Sequence, residues 1–310
     1  MHIDLLVALA GLVVGFVVGL TGMGGGALMT PMLVLFFGIQ PLAAVSSDLV
    51  ASLVMKPVGG AVHLRRGTVH KELVRWLVIG SVPSAFCGVL LLRAVGNGSA
   101  VQDTVKLSLG IALLVAVAMM VFKALLSVRR RVQLGPEAES NEPIEVHKAA
   151  TVAIGVIGGL IVGMTSVGSG SLIIVALLLV YPQLKTGDLV GTDLVQAVPL
   201  VGAAALGHIL FGDFSLGLTS SILIGSLPGV YLGARASSVA PGWIIRRALT
   251  FVLLASALKL LEVPTATVGW ILLGVVIAAP PIWIQVRRTF KHRLAGPPQQ
   301  AAEPVRVIAA

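Results

Sequence analysis

Apolar residues fall along this chain in blocks, most of them close to the twenty residues that a helix needs to cross about 30 Å of hydrocarbon. Ten of the blocks form two sets of five: 3–20, 27–37, 44–63, 73–92 and 104–126, then 148–165, 171–181, 189–210, 215–235 and 243–262. An eleventh, 267–286, follows by itself. The pattern predicts an all-α, polytopic membrane protein. The second block of each set holds about eleven residues, or ~16 Å of helix, half the hydrocarbon depth. It is expected to be half of an interrupted span or a re-entrant piece.

The two sets are copies. At an offset of 144, Gly11, Gly15, Gly19, Thr21, Gly24, Gly26 and Leu28 recur as Gly155, Gly159, Gly163, Thr165, Gly168, Gly170 and Leu172. One inserted residue moves the offset to 145, where Asp48, His63, Gly67, Gly80, Ser81, Pro83 and Gly88 recur as Asp193, His208, Gly212, Gly225, Ser226, Pro228 and Gly233. Agreement at so many Gly, Pro, Asp and His positions is the signature of an internal duplication. The expected units are a first membrane repeat (1–128), a cytoplasmic linker (129–147), a second repeat (148–262), an extra transmembrane helix (263–290) and a disordered cytoplasmic tail (291–310).

Composition agrees with a life in lipid: 56% of residues are hydrophobic, 11% are charged and the mean hydropathy is +1.00. An ordinary soluble enzyme carries about a quarter charged residues. The net charge of +9 would raise nucleic-acid binding in a soluble chain; here it is read as basic cytoplasmic loops. If the short blocks count as crossings, 18 of the 22 basic residues fall on one side of the membrane. That count favours five crossings per copy, an external N-terminus and a cytoplasmic C-terminus. Five is odd, so the second copy enters from the opposite face. Inverted repeats with interrupted helices are a recurring plan of secondary transporters. The first block has no basic residue before it and no small-residue cleavage site, so it is expected to stay as a helix. The single Cys87 excludes an intramolecular disulfide and a cysteine metal cluster.

The candidate chemistry lies at the interruptions. Thr21, Gly22, Gly24, Gly25, Gly26 and Ala27 are matched by Thr165, Ser166, Gly168, Ser169, Gly170 and Ser171, each set between a helix end and a half-helix start. Such a turn offers unpaired N–H groups and the positive end of a helix dipole, which suits an anion; the same glycines would also let two helices touch. Bulky replacements at Gly24 or Gly168 are expected to abolish transport. Asp48 and Asp193 are the two acids well inside apolar blocks, where a carboxylate needs a partner or a wet cavity. Each precedes a histidine, His63 or His208, by fifteen residues, too far along a helix to touch it. Lys56 precedes Pro57 and has Val201 as its counterpart; it would neutralise Asp48, attract an anion or snorkel. Pro83 and Pro228 are expected to kink their helices. Two further readings stand beside the anion site. One is a cation or metal carrier using the acids and histidines. The other is an intramembrane serine protease built on Ser169 and His208, against which Ser169 corresponds to Gly25.

The paired Gly-rich turns, Ser46-Ser47-Asp48 with Gly191-Thr192-Asp193, and His63-Leu64-Arg65-Arg66-Gly67 resemble the TauE/SafE family of sulfite and sulfonate permeases, over about 13–260. The resemblance implies an inner-membrane carrier, without catalytic residues or cofactor, for a small sulfur-containing anion such as sulfite, a sulfonate, sulfoacetate or thiosulfate. It also implies that the interrupted helices of both copies face the transport site. Its partners would be the anionic solute and the lipid bilayer, with no nucleic acid; proton and sodium coupling both stay open, as do oligomeric state and direction. The eleventh block and the acidic linker depart from the family's pattern.

Overall fold

Backbone in hydrocarbon must satisfy its own hydrogen bonds, and runs of Leu, Val, Ala and Ile do so as helices. The computed structural model describes residues 4–21, 25–96, 98–134, 144–236 and 242–294, and among them every predicted block is helical. The first set gives α1 (Leu5–Thr21), α2 (Gly26–Phe36), α3 (Pro41–Arg65), α4 (Lys71–Ala94) and α5 (Ser99–Leu134). The second gives α6 (Lys148–Thr165), α7 (Leu172–Val180), α8 (Thr186–Phe211), α9 (Leu216–Ala236) and α10 (Gly242–Leu260), and α11 (Thr265–Leu294) follows. Six helices, α3, α4, α5, α6, α8 and α9, hold stretches long and apolar enough to cross a membrane. No strand occurs among the described residues. The protein is an all-α polytopic membrane protein.

Two helices outrun the predicted units. α5 continues past 128 through Arg129–Arg131, and α11 past 290 to Leu294. Arginine and lysine are good helix formers, and the breakers Gly135-Pro136 and Gly296-Pro297 come only afterwards. The middle of the linker, 135–143, and the tail from 295 lie outside the described residues.

Small residues set the packing. A side-chain carbon added to Gly15 of α1 would sit 2.8 Å from the Cα of Ser226 on α9, and one on Gly11 3.0 Å from the Ile222 carbonyl oxygen. From the other side, Gly225, Gly229 and Gly233 of α9 rest on Ala8, Leu12 and Phe16. The numbers rise together, so α1 and α9 run parallel, backbone against backbone. α6 and α4 form the same seam: Gly155, Gly159 and Gly163 rest on Leu77, Ser81 and Ala85. Pro83 and Pro228 lie inside α4 and α9 on their exposed faces, away from the glycines. Between the seams α3 packs against α8 with the opposite sense: Ser46 meets His208, Leu53 meets Gly202, and Gly59 meets Leu194. This antiparallel pair carries Val45, Leu49, Leu189, Leu200 and Ala204 into the core. Exchanging α1 with α6 and α4 with α9 maps one seam on the other.

Candidate functional site

The half-helices α2 and α7 begin where the seam helices α1 and α6 stop. α6 closes on Ser166, whose φ of 60° is left-handed, and Gly168 and Gly170 follow with φ of 126° and 106°, a region open to glycine. Ser171 then caps α7. In the first copy Thr21 ends α1, Gly25 caps α2, and Gly26 and Ala27 open it; Gly22 and Gly24 lie outside the described residues. The two turns meet. A side-chain carbon on Gly26 would overlap the Ser166 carbonyl and lie 2.6 Å from Ser166 Oγ. The N–H groups of Gly25, Gly26 and Ala27, and those of Gly168, Ser169, Gly170 and Ser171, have no hydrogen-bond partner among the described residues.

The turn hydroxyls divide in two. Thr21 Oγ1 donates to the Val17 carbonyl at 2.9 Å and Thr165 Oγ1 to the Ile161 carbonyl at 2.6 Å, so each closes its own helix end. The serines reach across to α3. Ser166 Oγ donates to Asp48 Oδ2 at 2.6 Å, and Ser169 Oγ accepts from Lys56 Nζ. Asp48 is 0% exposed and its Oδ2 also accepts from Thr30 Oγ1 of α2 at 3.1 Å. One carboxylate therefore ties the first half-helix to the second turn. Its Oδ1 has no partner among the described residues.

Asp193, at the equivalent place on α8, accepts from Gln196 Nε2 at 3.1 Å, and Gln196 Oε1 accepts from Ser81 Oγ at 3.3 Å. Lys56 is within electrostatic reach of both acids and acts most strongly on Asp193, which also feels Lys123 of α5. The histidines stand apart. His208 Nε2 faces the Gly163 carbonyl at 2.8 Å and carries the ring proton there, while Nδ1 lies 2.8 Å from Ser46 Oγ, whose hydroxyl also reaches the Leu42 carbonyl at 2.7 Å. His63 Nδ1 pairs with Thr68 Oγ1 at 2.8 Å near the end of α3. Neither ring joins the carboxylates in a ligand set, and His208 is not placed on Ser169 as a base. Sequence reasoning missed Thr30, Ser46 as the His208 partner, and Gln196. For Gln196 the signal was an amide three residues beyond Asp193 in an apolar helix; Thr30 left no comparable mark.

The Sulfite exporter TauE/SafE family model matches residues 7–260, from α1 to the end of α10. The chain belongs to that family. Probable membrane transporter protein YjnA of Bacillus subtilis (strain 168) is 37% identical over 256 residues, 82% of this chain and 98% of that protein. Probable membrane transporter protein YdhB of the same organism is 23% identical over 245 residues, 79% of this chain and 95% of that protein. No solved structure matches. The protein is a multi-pass membrane transporter and not an enzyme.

Proposed function

We propose that the protein is a secondary-active carrier of a small sulfur-containing anion, held where the two turns meet and passed across by alternating access. The observation that carries this reading is the approach of Gly26 to Ser166, which gathers seven N–H groups without a partner among the described residues beside the Lys56 ammonium. Peptide N–H groups at half-helix starts and a fixed cation together form an anion cradle. Glycine at the turns keeps side chains out of it. The family name, which speaks of sulfite export, supports the solute class. The parallel seams and the antiparallel α3–α8 pair support an inverted repeat. Helices α1 and α9 run the same way, and α3 and α8 opposite ways, if α2 and α7 each reverse the chain as a crossing does. On this reading, with the basic loops inside, the N-terminus is outside and the C-terminus in the cytoplasm.

The test is anion counterflow in lipid vesicles, with radiolabelled sulfite, thiosulfate or methanesulfonate exchanging against the same anion inside. At least one is expected to exchange, and Lys56→Met is expected to slow it by about a hundredfold, the loss of a charged hydrogen bond of ~3 kcal/mol. Absence of exchange for all three, with exchange of a small cation instead, would overturn the reading.

A further inference from the structure

The carboxylate of Asp48 occupies the place where negative charge is wanted. It lies on α3, is 0% exposed, and takes the hydroxyls of Ser166 and Thr30 on a single oxygen. Ser166 also belongs to the turn that would receive the anion. An arriving anion and an ionised Asp48 would thus compete for the same donor at close range in a medium of low dielectric, where like charges repel strongly. Among the described residues no group near Asp48 cancels both. The charged group facing it is Lys56, whose ammonium is bound to Ser169 and acts more strongly on Asp193. α2 and the turn after α6 present hydroxyls and N–H groups. From α8 the titratable groups are Asp188 in its first turn, Asp193 and His208, the last engaged with Ser46 and Gly163. α9 offers Tyr231 and Arg235, stacked on each other at 5.1 Å. α5 offers the exposed Asp103, Lys106 paired with Glu262, and Lys123 near Asp193. Meanwhile Oδ1 of Asp48 is buried with no partner among the described residues. A metal cation would draw several oxygens around itself, whereas here both hydroxyls gather on Oδ2. A proton needs only the one bare oxygen.

We infer that Asp48 is a built-in stand-in for the transported anion, and that each anion enters the site together with one proton taken up on Asp48 from the aqueous phase. The empty carrier holds its two turns together through the carboxylate. When the anion arrives, Asp48 becomes neutral, Ser166 is free to turn to the solute, and the positive charge of Lys56 serves the anion. Anion and proton travel in the same direction. This inference rests on the anion-carrier reading.

The experiment uses the full chain in vesicles with a pH-sensitive dye trapped inside. Methanesulfonate is the preferred probe because it stays ionised, with sulfite and thiosulfate alongside. Counterflow at equal pH inside and out comes first: its failure in the wild-type protein counts against the carrier reading itself. Given counterflow, an inward anion gradient is expected to acidify the lumen by one proton per anion. A gradient of one pH unit should then accumulate methanesulfonate about tenfold, the ratio set by electroneutral coupling. Asp48→Asn, which keeps the two hydroxyls bonded but cannot ionise, should lose both the acidification and the accumulation. Asp193→Asn should keep them. A lumen that stays at constant pH, a sodium gradient that replaces the proton gradient, or an Asp48→Asn protein that still acidifies would each overturn the proposal. If Asp48→Asn proves inactive in counterflow, Thr30→Val decides. Removing one donor from the carboxylate favours the protonated form, so the pH dependence of uptake should move to more alkaline values, and an unmoved profile overturns the inference.

Discussion

Around Asp48 the chain supplies hydroxyls, Thr30 and Ser166; around Asp193, its counterpart, it supplies the amide of Gln196 and the charge of Lys56. None of these groups is duplicated. Ser166 corresponds to Gly22, Thr30 falls opposite the apolar Ile174-Val175, Gln196 corresponds to Ala51 and Lys56 to Val201. The duplicated parts are the backbone: the glycine seams, the turns and the two acids. What differs is how each acid is satisfied. Recurring sequence positions thus have two unlike surroundings, one in which negative charge is held by neutral donors and one in which it lies near a cation.

The comparison can be broken most severely at the turns. Gly26→Val drives a side chain into the Ser166 backbone, which cannot yield as a flexible side chain would. A loss of about 3 kcal/mol, the upper end for overpacking, is expected with loss of counterflow. Gly25→Ala meets no more than the Met55 methyl at 3.6 Å and should melt close to wild type in detergent. Next comes Ser166, which bears a left-handed backbone in order to present its hydroxyl to Asp48. Ser166→Ala loses the bond, a cost of about 1.5–3 kcal/mol, and keeps the backbone strain. Ser166→Gly relieves that strain and should be about 1 kcal/mol more stable than the alanine variant; equal melting of the two would show that the strain is not stored there.

A subtler contrast lies between equivalent serines. Ser81→Ala leaves Gln196 Oε1 without its donor and should cost about 1 kcal/mol. Ser226 Oγ is buried with no partner among the described residues, because its counterpart to Gln196 is Ala51, so Ser226→Ala should be neutral or mildly stabilising. The smallest effect is expected at the exposed pair Lys106–Glu262, 2.7 Å apart between α5 and the α10–α11 link. The Lys106 ammonium, through its hydrogen bond and charge, holds the Glu262 carboxyl below the ordinary glutamate value. A depressed carboxyl contributes above its unfolded value and loses that contribution as pH falls through the folded one. Glu262→Gln should therefore shift melting by no more than about 1 °C near neutral pH, with no difference from wild type in acid.

Most of the architecture was legible because hydrophobic length and glycine spacing are direct consequences of crossing lipid. Blocks such as 148–165 and α6 coincide to the residue, and the recurrence of Gly155, Gly159 and Gly163 announced a close contact without naming the mate. The mate was illegible: nothing in α1 alone points to α9, since a glycine face accepts any backbone of suitable shape. At the site, Asp48, Lys56 and the turns stood out as polar or flexible residues in apolar surroundings. Thr30 did not, since a lone threonine is tolerated anywhere in a helix, and its bond to Asp48 depends on a tertiary approach. The histidines stood out too, and they turned out to be engaged with Ser46, the Gly163 carbonyl and Thr68.

The seams also govern how the protein must be made. Gly15 emerges from the ribosome 211 residues before Ser226 (226 minus 15), against which it will finally rest. At ~5–20 residues per second, that is a wait of about 10 to 40 s in the bilayer. Through that interval α1 shows lipid a bare strip of glycine that any passing helix would fit. The first seam therefore cannot close until the second repeat has been made.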